Sequence, residues 1–136
     1  MQVTLEQLDE AGRELFPGLV GIEFDESADG IVRAHLELRH ELQAPNGFLH
    51  AGAIVTLADT ACGYGCFLTK PDEATGFTTI ELKTNFLRSA RAGTITCEAR
   101  LVHGGRTTQL WDATVADPDG KPMALFRATQ LLLYPR

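Results

Sequence analysis

Only three cysteines, an odd number, occur in 136 residues, so no disulfide framework holds this chain together. Cys62 and Cys66 stand four apart, on one face of any helix that contains them. No second Cys/His pair lies at zinc-site spacing, so they read as small reduced core residues, and no metal site is expected. Reduced thiols are expected of a cytoplasmic protein. Positive charge is also scarce. Twelve Lys and Arg against 18 Asp and Glu give a net charge of −6 and a pI near 5.1. That balance argues against nucleic acid or an anionic membrane as partner, but leaves room for a phosphorylated small molecule in a local basic pocket. The N-terminal "MQVTLEQLDEAGRELFPG" carries acids and no continuous apolar core, unlike a signal peptide. No stretch reaches the roughly 18 uninterrupted apolar residues of a membrane span. Repeats, low-complexity tracts and linkers are absent. What is present is a 44% apolar chain of a length that fits one globular domain, 1–136.

Local patterning orders the elements. "TLEQLDEAGRELFPG" reads as a short helix with a Thr4/Gln7 capping box, ended by Pro17-Gly18. "GLVGIEFDES" and "GIVRAHLEL" read as a strand pair turning at "SADG", and "RHELQAPNGFL" as a loop. An apolar helix follows, "HAGAIVTLADTACGYGCFL". Four strands come after it. Ile80, Leu82 and Phe86 share one side of the first, and Ile95, Cys97, Ala99 and Leu101 share one face of the second. "DPDG" joins the last two. Antiparallel strands with a single apolar helix make an α+β layer fold. A helix apolar nearly all round needs a curved sheet wrapped about it, and open strand edges point to a dimer at least.

One carboxylate interrupts that helix. The residues one turn either side of Asp59 are Val55, Thr56, Cys62 and Gly63, so no local cation is at hand, and Asp59 lies too deep to cap the helix. An unexplained acid in an apolar helix marks a candidate site. His50 stands at the helix start, where free N–H groups and the helix dipole favour negative charge. With only Ala51 and Gly52 beside it, this end could receive an oxyanion; a plain loop-to-helix junction is the alternative. Nine residues separate His50 from Asp59, about 13.5 Å of axial rise, and they fall on opposite sides of the helix. They cannot act together on one carbonyl carbon from one helix. If both act, two helices meet antiparallel across a two-fold axis and share the site.

"NGFLHAGAIVTLADTACGYGC", followed by "ELKTNFLRSARAG" and "HGGRTTQLWDATVADPDGKPMA", resembles the hotdog-fold acyl-CoA thioesterases. The likeness is to the phenylacetate-pathway type within the 4-hydroxybenzoyl-CoA thioesterase superfamily, and it covers roughly residues 30 to 133. Gly47, His50, Gly52 and Asp59 match the family motif in type and spacing. The resemblance implies a curved antiparallel sheet around one long helix. It also implies acyl-CoA as substrate, with aryl or medium-chain acyl groups suggested by Phe48, Leu49, Tyr64 and Phe67. No cofactor is implied beyond the coenzyme A of the substrate, and self-association goes to a dimer or a dimer of dimers. By the same resemblance Asp59 is nucleophile or general base, the Ala51 N–H of the opposing subunit donates to the oxyanion, and His50 orients the thioester. Thr79, with Thr78 second, positions water. Arg88, Arg91 and Arg106 are candidates for the coenzyme A phosphates.

Two departures stand out. Ala51 replaces the first glycine of the family pair, and Ala44 stands where the family often has Asn or Gln, with Gln43 and Asn46 flanking it. Two other readings fit a hotdog domain. A hydratase or dehydratase would use His50 and Asp59 for proton transfer beside the carbonyl. A non-catalytic acyl-CoA sensor would have little reason to keep a lone helix carboxylate.

Overall fold

The computed structural model describes residues 2–136 and contains three α-helices and six strands. These are α1 (Leu5–Gly12), α2 (Phe16–Val20), β1 (Ile22–Ala28), β2 (Ile31–Glu37), α3 (Ala51–Thr69), β3 (Gly76–Phe86), β4 (Thr94–Gly104), β5 (Thr108–Ala116) and β6 (Pro122–Leu133). The strands form one antiparallel sheet in the order β1-β2-β4-β5-β6-β3. Period-2 alternation sends Ile95, Cys97 and Ala99, with Trp111, Ala113 and Val115, to the inner face of β4 and β5, where all are buried. Many inward positions are alanine: Ala34, Ala99, Ala113, Ala124 and Ala128. Such short side chains let the sheet curl closely around α3, whose Leu57, Ala58, Ala61 and Cys62 are fully enclosed.

Helix and sheet approach closely at Gly65. A Cβ there would lie 2.3 Å from the Trp111 ring, so the largest core side chain lies directly against helix backbone. Replacing Trp111 with Ala would cost about 3–5 kcal/mol through the cavity left behind. Cys62, Cys66 and Cys97 are free, buried thiols; burial pushes Cys66 up to about 11 and Cys97 up to about 12. Among the described residues, no group of three His, Cys, Asp or Glu could hold a metal ion.

Three expectations need correction. The first helix does not run to Pro17-Gly18. It stops at Gly12, its Thr4/Gln7 capping box intact, and α2 begins at Phe16 with Pro17 in its first turn. Proline has no N–H to lose there, so it starts a helix instead of ending one. "GLV" consequently belongs to α2, and β1 starts at Ile22. The sheet also covers only one side of α3. Its other side, with Thr56, Asp59, Thr60 and Phe67, faces outward, and Phe67 is 56% exposed. Finally, Ile80 does not share a face with Leu82 and Phe86 in regular register. The pairing slips between Thr79 and Glu81, so Ile80 is the extra residue of a bulge. Leu82 and Phe86 lie opposite the inward Ala128 and Ala124, yet stay 41% and 47% exposed on this edge strand.

Candidate active site

The start of α3 is built by His50. Its Nδ1 accepts the Gly52 N–H at 2.8 Å, and its carbonyl accepts the Ala53 N–H at 2.9 Å. The ring can fold over the first turn only because position 52 lacks a Cβ, which would lie 2.9 Å from Nδ1. Gly52 therefore serves His50, and its own N–H is occupied. The Ala51 N–H is different: it has no acceptor among the described residues, and Ala51 is exposed. One outward-facing N–H stands at the positive end of a 19-residue helix.

Asp59 lies eight residues on, about 12 Å further along the axis. It is half-buried, and Thr79 Oγ1 of β3 lies 3.5 Å from its Oδ1. Burial raises its pKa above the ordinary carboxylate value. Thr78 pairs with Leu131 on the outward face and is exposed, so Thr79 is the hydroxyl that faces the helix.

The loop before α3 closes on itself, with Gln43 paired to Leu49 and the Ala44 N–H donating to the Phe48 carbonyl at 2.7 Å. Gly47 takes φ +87°, and Asn46 Oδ1 accepts the Phe48 N–H at 3.1 Å. A hollow of about 420 Å³ opens beside the helix start, lined by Asn46, Phe48, His50, Ala51, Phe86 and Arg88 among others. Arg91 lies over the Phe48 ring at 4.4 Å, and Arg88 is 3.9 Å from Asp117. Arg88 thus borders this hollow and Arg91 stacks on the Phe48 ring that lines it.

Other expected residues lie elsewhere. Arg106 is in the β4–β5 turn, over the Tyr134 ring at 5.8 Å. That turn flanks the Leu131 end of β6, whereas Arg88 bonds back to Met123 at the opposite end, so a single chain does not gather the three arginines around one ligand. Tyr64 is also remote from the helix start. It stacks on Phe24 at 4.7 Å and borders a second, almost wholly apolar hollow of about 340 Å³ with Leu8, Ala11, Gly63, Phe67 and Phe77. Gly63 is one helical turn beyond Asp59, and Phe77 is two residues before Thr79, so this hollow lies further along α3 from the carboxylate.

Gln130 escaped the reading of the sequence. It is fully buried on β6, paired in register with Thr79, and its Oε1 accepts the Thr79 hydroxyl at 2.7 Å. The signal was available: in "ALFRATQLLL" the glutamine has the same parity as the inward Ala124, Phe126 and Ala128.

Known proteins resemble this chain in sequence and fold. The thioesterase superfamily profile matches residues 46–124, from the loop before α3 into β6. The chain is a member of the thioesterase superfamily. A mutant thioesterase from Pseudomonas aeruginosa is 32% identical and superposes with a TM-score of 0.94 over 99% of this chain and 97% of its own. The 1,4-dihydroxy-2-naphthoyl-CoA hydrolase of Listeria monocytogenes is 32% identical over 81% of this chain and 89% of its own. The PaaI protein of the E. coli phenylacetic acid degradation operon, at 24% identity, shares the fold with a TM-score of 0.80. The sheet with one long helix is the hotdog fold, and this thioesterase is a thioester hydrolase.

Proposed function

We propose that this thioesterase hydrolyses aryl or medium-chain acyl-CoA, with Asp59 as the catalytic carboxylate and the Ala51 N–H of the partner subunit as oxyanion donor. The observation that carries the proposal is the unpaired Ala51 N–H, exposed on the same helix as Asp59 but about 12 Å away. A second copy laid antiparallel brings each helix end to the other's carboxylate. The open side of α3 and the exposed Leu82 and Phe86 on edge strand β3 supply the surface for it.

The acyl group enters the apolar hollow between α1, α3 and β3. Its volume of about 340 Å³ compares with about 150 Å³ for a cavity that takes up benzene. An aromatic acid also agrees with the naphthoyl-CoA named for the Listeria relative. Arg88 and Arg91, beside the helix start, are placed to meet coenzyme A phosphates, and Asn46, Gly47 and Phe48 shape the approach to the thioester. The reaction draws on water and the chain's own groups, and coenzyme A enters as part of the substrate.

In the mechanism, the thioester carbonyl oxygen receives the Ala51 N–H at the positive helix end. Asp59, ionised at neutral pH, either attacks the carbon, expelling the coenzyme A thiolate and leaving a mixed anhydride that water then hydrolyses, or takes a proton from the attacking water as the thiolate leaves. Thiol release from aryl and straight-chain acyl-CoAs, compared between wild type and Asp59→Asn, tests this. Turnover lost in the variant while acyl-CoA still binds supports the assignment; equal turnover removes Asp59 from the chemistry.

A further inference from the structure

Thr79 has one hydroxyl hydrogen and two oxygen neighbours that could accept it. Gln130 Oε1 lies at 2.7 Å, the usual O–H···O separation, while Asp59 Oδ1 lies at 3.5 Å, well beyond the roughly 2.5–2.7 Å of a charge-assisted bond to a carboxylate. The hydrogen therefore belongs to Gln130. Thr79 then turns oxygen lone pairs, not a proton, toward Asp59. Gln130 is fully buried, and its Nε2 has no hydrogen-bond partner among the described residues. An orphaned buried amide donor is destabilising, and a residue chosen only for packing would not leave one.

We propose that Gln130 is a positioning residue that keeps Asp59 basic by holding the Thr79 hydrogen away from it. An ionised carboxylate denied that hydrogen bond takes up a proton more readily. That favours the general-base route, in which the attacking water transfers its proton to Asp59 while its oxygen bonds to the thioester carbon. Thr79, with its lone pairs toward the site, can accept the water's second O–H and so aim it. The inference rests on the reading of Asp59 as the catalytic carboxylate.

Few other groups near Asp59 titrate. On α3 they are the thiols of Cys62 and Cys66 and the Tyr64 phenol, all raised by burial, with Lys70 just beyond the helix end. On the sheet they are Cys97 of β4 and Asp112 of β5, the latter paired outward with Arg127. The inward faces of β2, β3 and β6 carry none, nor does α2, and Asp9 of α1 accepts the Phe24 N–H at 2.9 Å. The shared site also holds the imidazole of the partner subunit's His50, which is the same in every variant of the series.

The experiment is the pH profile of kcat/KM for acyl-CoA hydrolysis by the 136-residue chain. Gln130→Met frees the Thr79 hydrogen for Asp59, so the acid limb moves down by about one pH unit. In a Thr79→Val background the same substitution moves nothing. Gln130→Glu keeps an acceptor for Thr79 and holds the limb at or above its original place. A limb that stays or rises in Gln130→Met overturns the proposal, and so does a downward shift that persists without the Thr79 hydroxyl. If Gln130→Met does not fold, a limb below wild type in Gln130→Glu overturns it alone. Full turnover by Asp59→Asn would instead sink the reading of Asp59 beneath it.

Discussion

Ala51→Pro deletes one hydrogen-bond donor and almost nothing else. Ala51 is the first residue of α3, where proline fits because the N–H makes no intrahelical bond. Here that N–H has no partner at all among the described residues. The preceding residue also suits proline: His50 sits at φ −64°, ψ 132°, inside the extended region that a following proline demands. The Gly52 N–H to His50 bond that caps the helix does not involve the Ala51 nitrogen. Stability should therefore change by less than about 1 kcal/mol in either direction. Catalysis should not escape. Loss of one oxyanion donor lowers kcat by about 10²–10³-fold, equivalent to about 3–4 kcal/mol. The assay is thiol release under saturating acyl-CoA, with thermal unfolding and substrate binding as controls and Ala51→Gly as the substitution that keeps the N–H. A stable Ala51→Pro protein with kcat within a few-fold of wild type would refute the oxyanion assignment.

Asp59→Asn should stabilise the fold while abolishing turnover. Burial raises the Asp59 pKa in the folded state, so the folded protein binds this proton more tightly than the unfolded chain. Stability then falls as pH rises from the unfolded value through the raised folded one, and at neutral pH the ionised carboxylate is a net cost that Asn removes. Thermal unfolding at pH 7 should show a higher Tm for the variant, and the gain should shrink as the pH is lowered below the ordinary carboxylate pKa. In Gly63→Leu the new Cβ lies 3.1 Å from the Phe77 ring, so Phe77 must shift as the side chain fills the apolar hollow. Hydrolysis of aryl-CoA and medium-chain acyl-CoA should fall by at least about tenfold while that of acetyl-CoA is spared, measured as relative kcat/KM.

Much of this was legible in the chain before any fold was seen. Alternation in β4 and β5 is strict, so their inward faces could be read directly, and Asp59 stood out because no cation lies one turn away. The helical rise alone separated His50 from Asp59 and so called for a second subunit. The misreadings have local causes. Pro17-Gly18 is both a stop and a start signal, and only the packing of α2 decides between them. The bulge at Ile80 shifts the parity of β3 after Thr79, which composition cannot reveal. Arg106 and Arg88 are both exposed strand-end arginines, and which end of the sheet each occupies depends on strand order. Gln130 was overlooked because a glutamine among leucines at a strand end reads as surface, although its parity places it inward.

The shared site itself is tested most directly by mixing two inactive variants. Asp59→Asn lacks the carboxylate and Ala51→Pro lacks the donor, and each is inactive as a homodimer. Unfolded together and refolded at equal amounts, they form mixed dimers in which one of the two sites takes Asp59 from one chain and Ala51 from the other, both intact. Random pairing makes half the dimers mixed, each with one working site, so about a quarter of wild-type activity should return. If each chain held a complete site of its own, every site in the mixture would still lack one group. Activity no greater than that of the separate variants would contradict the account.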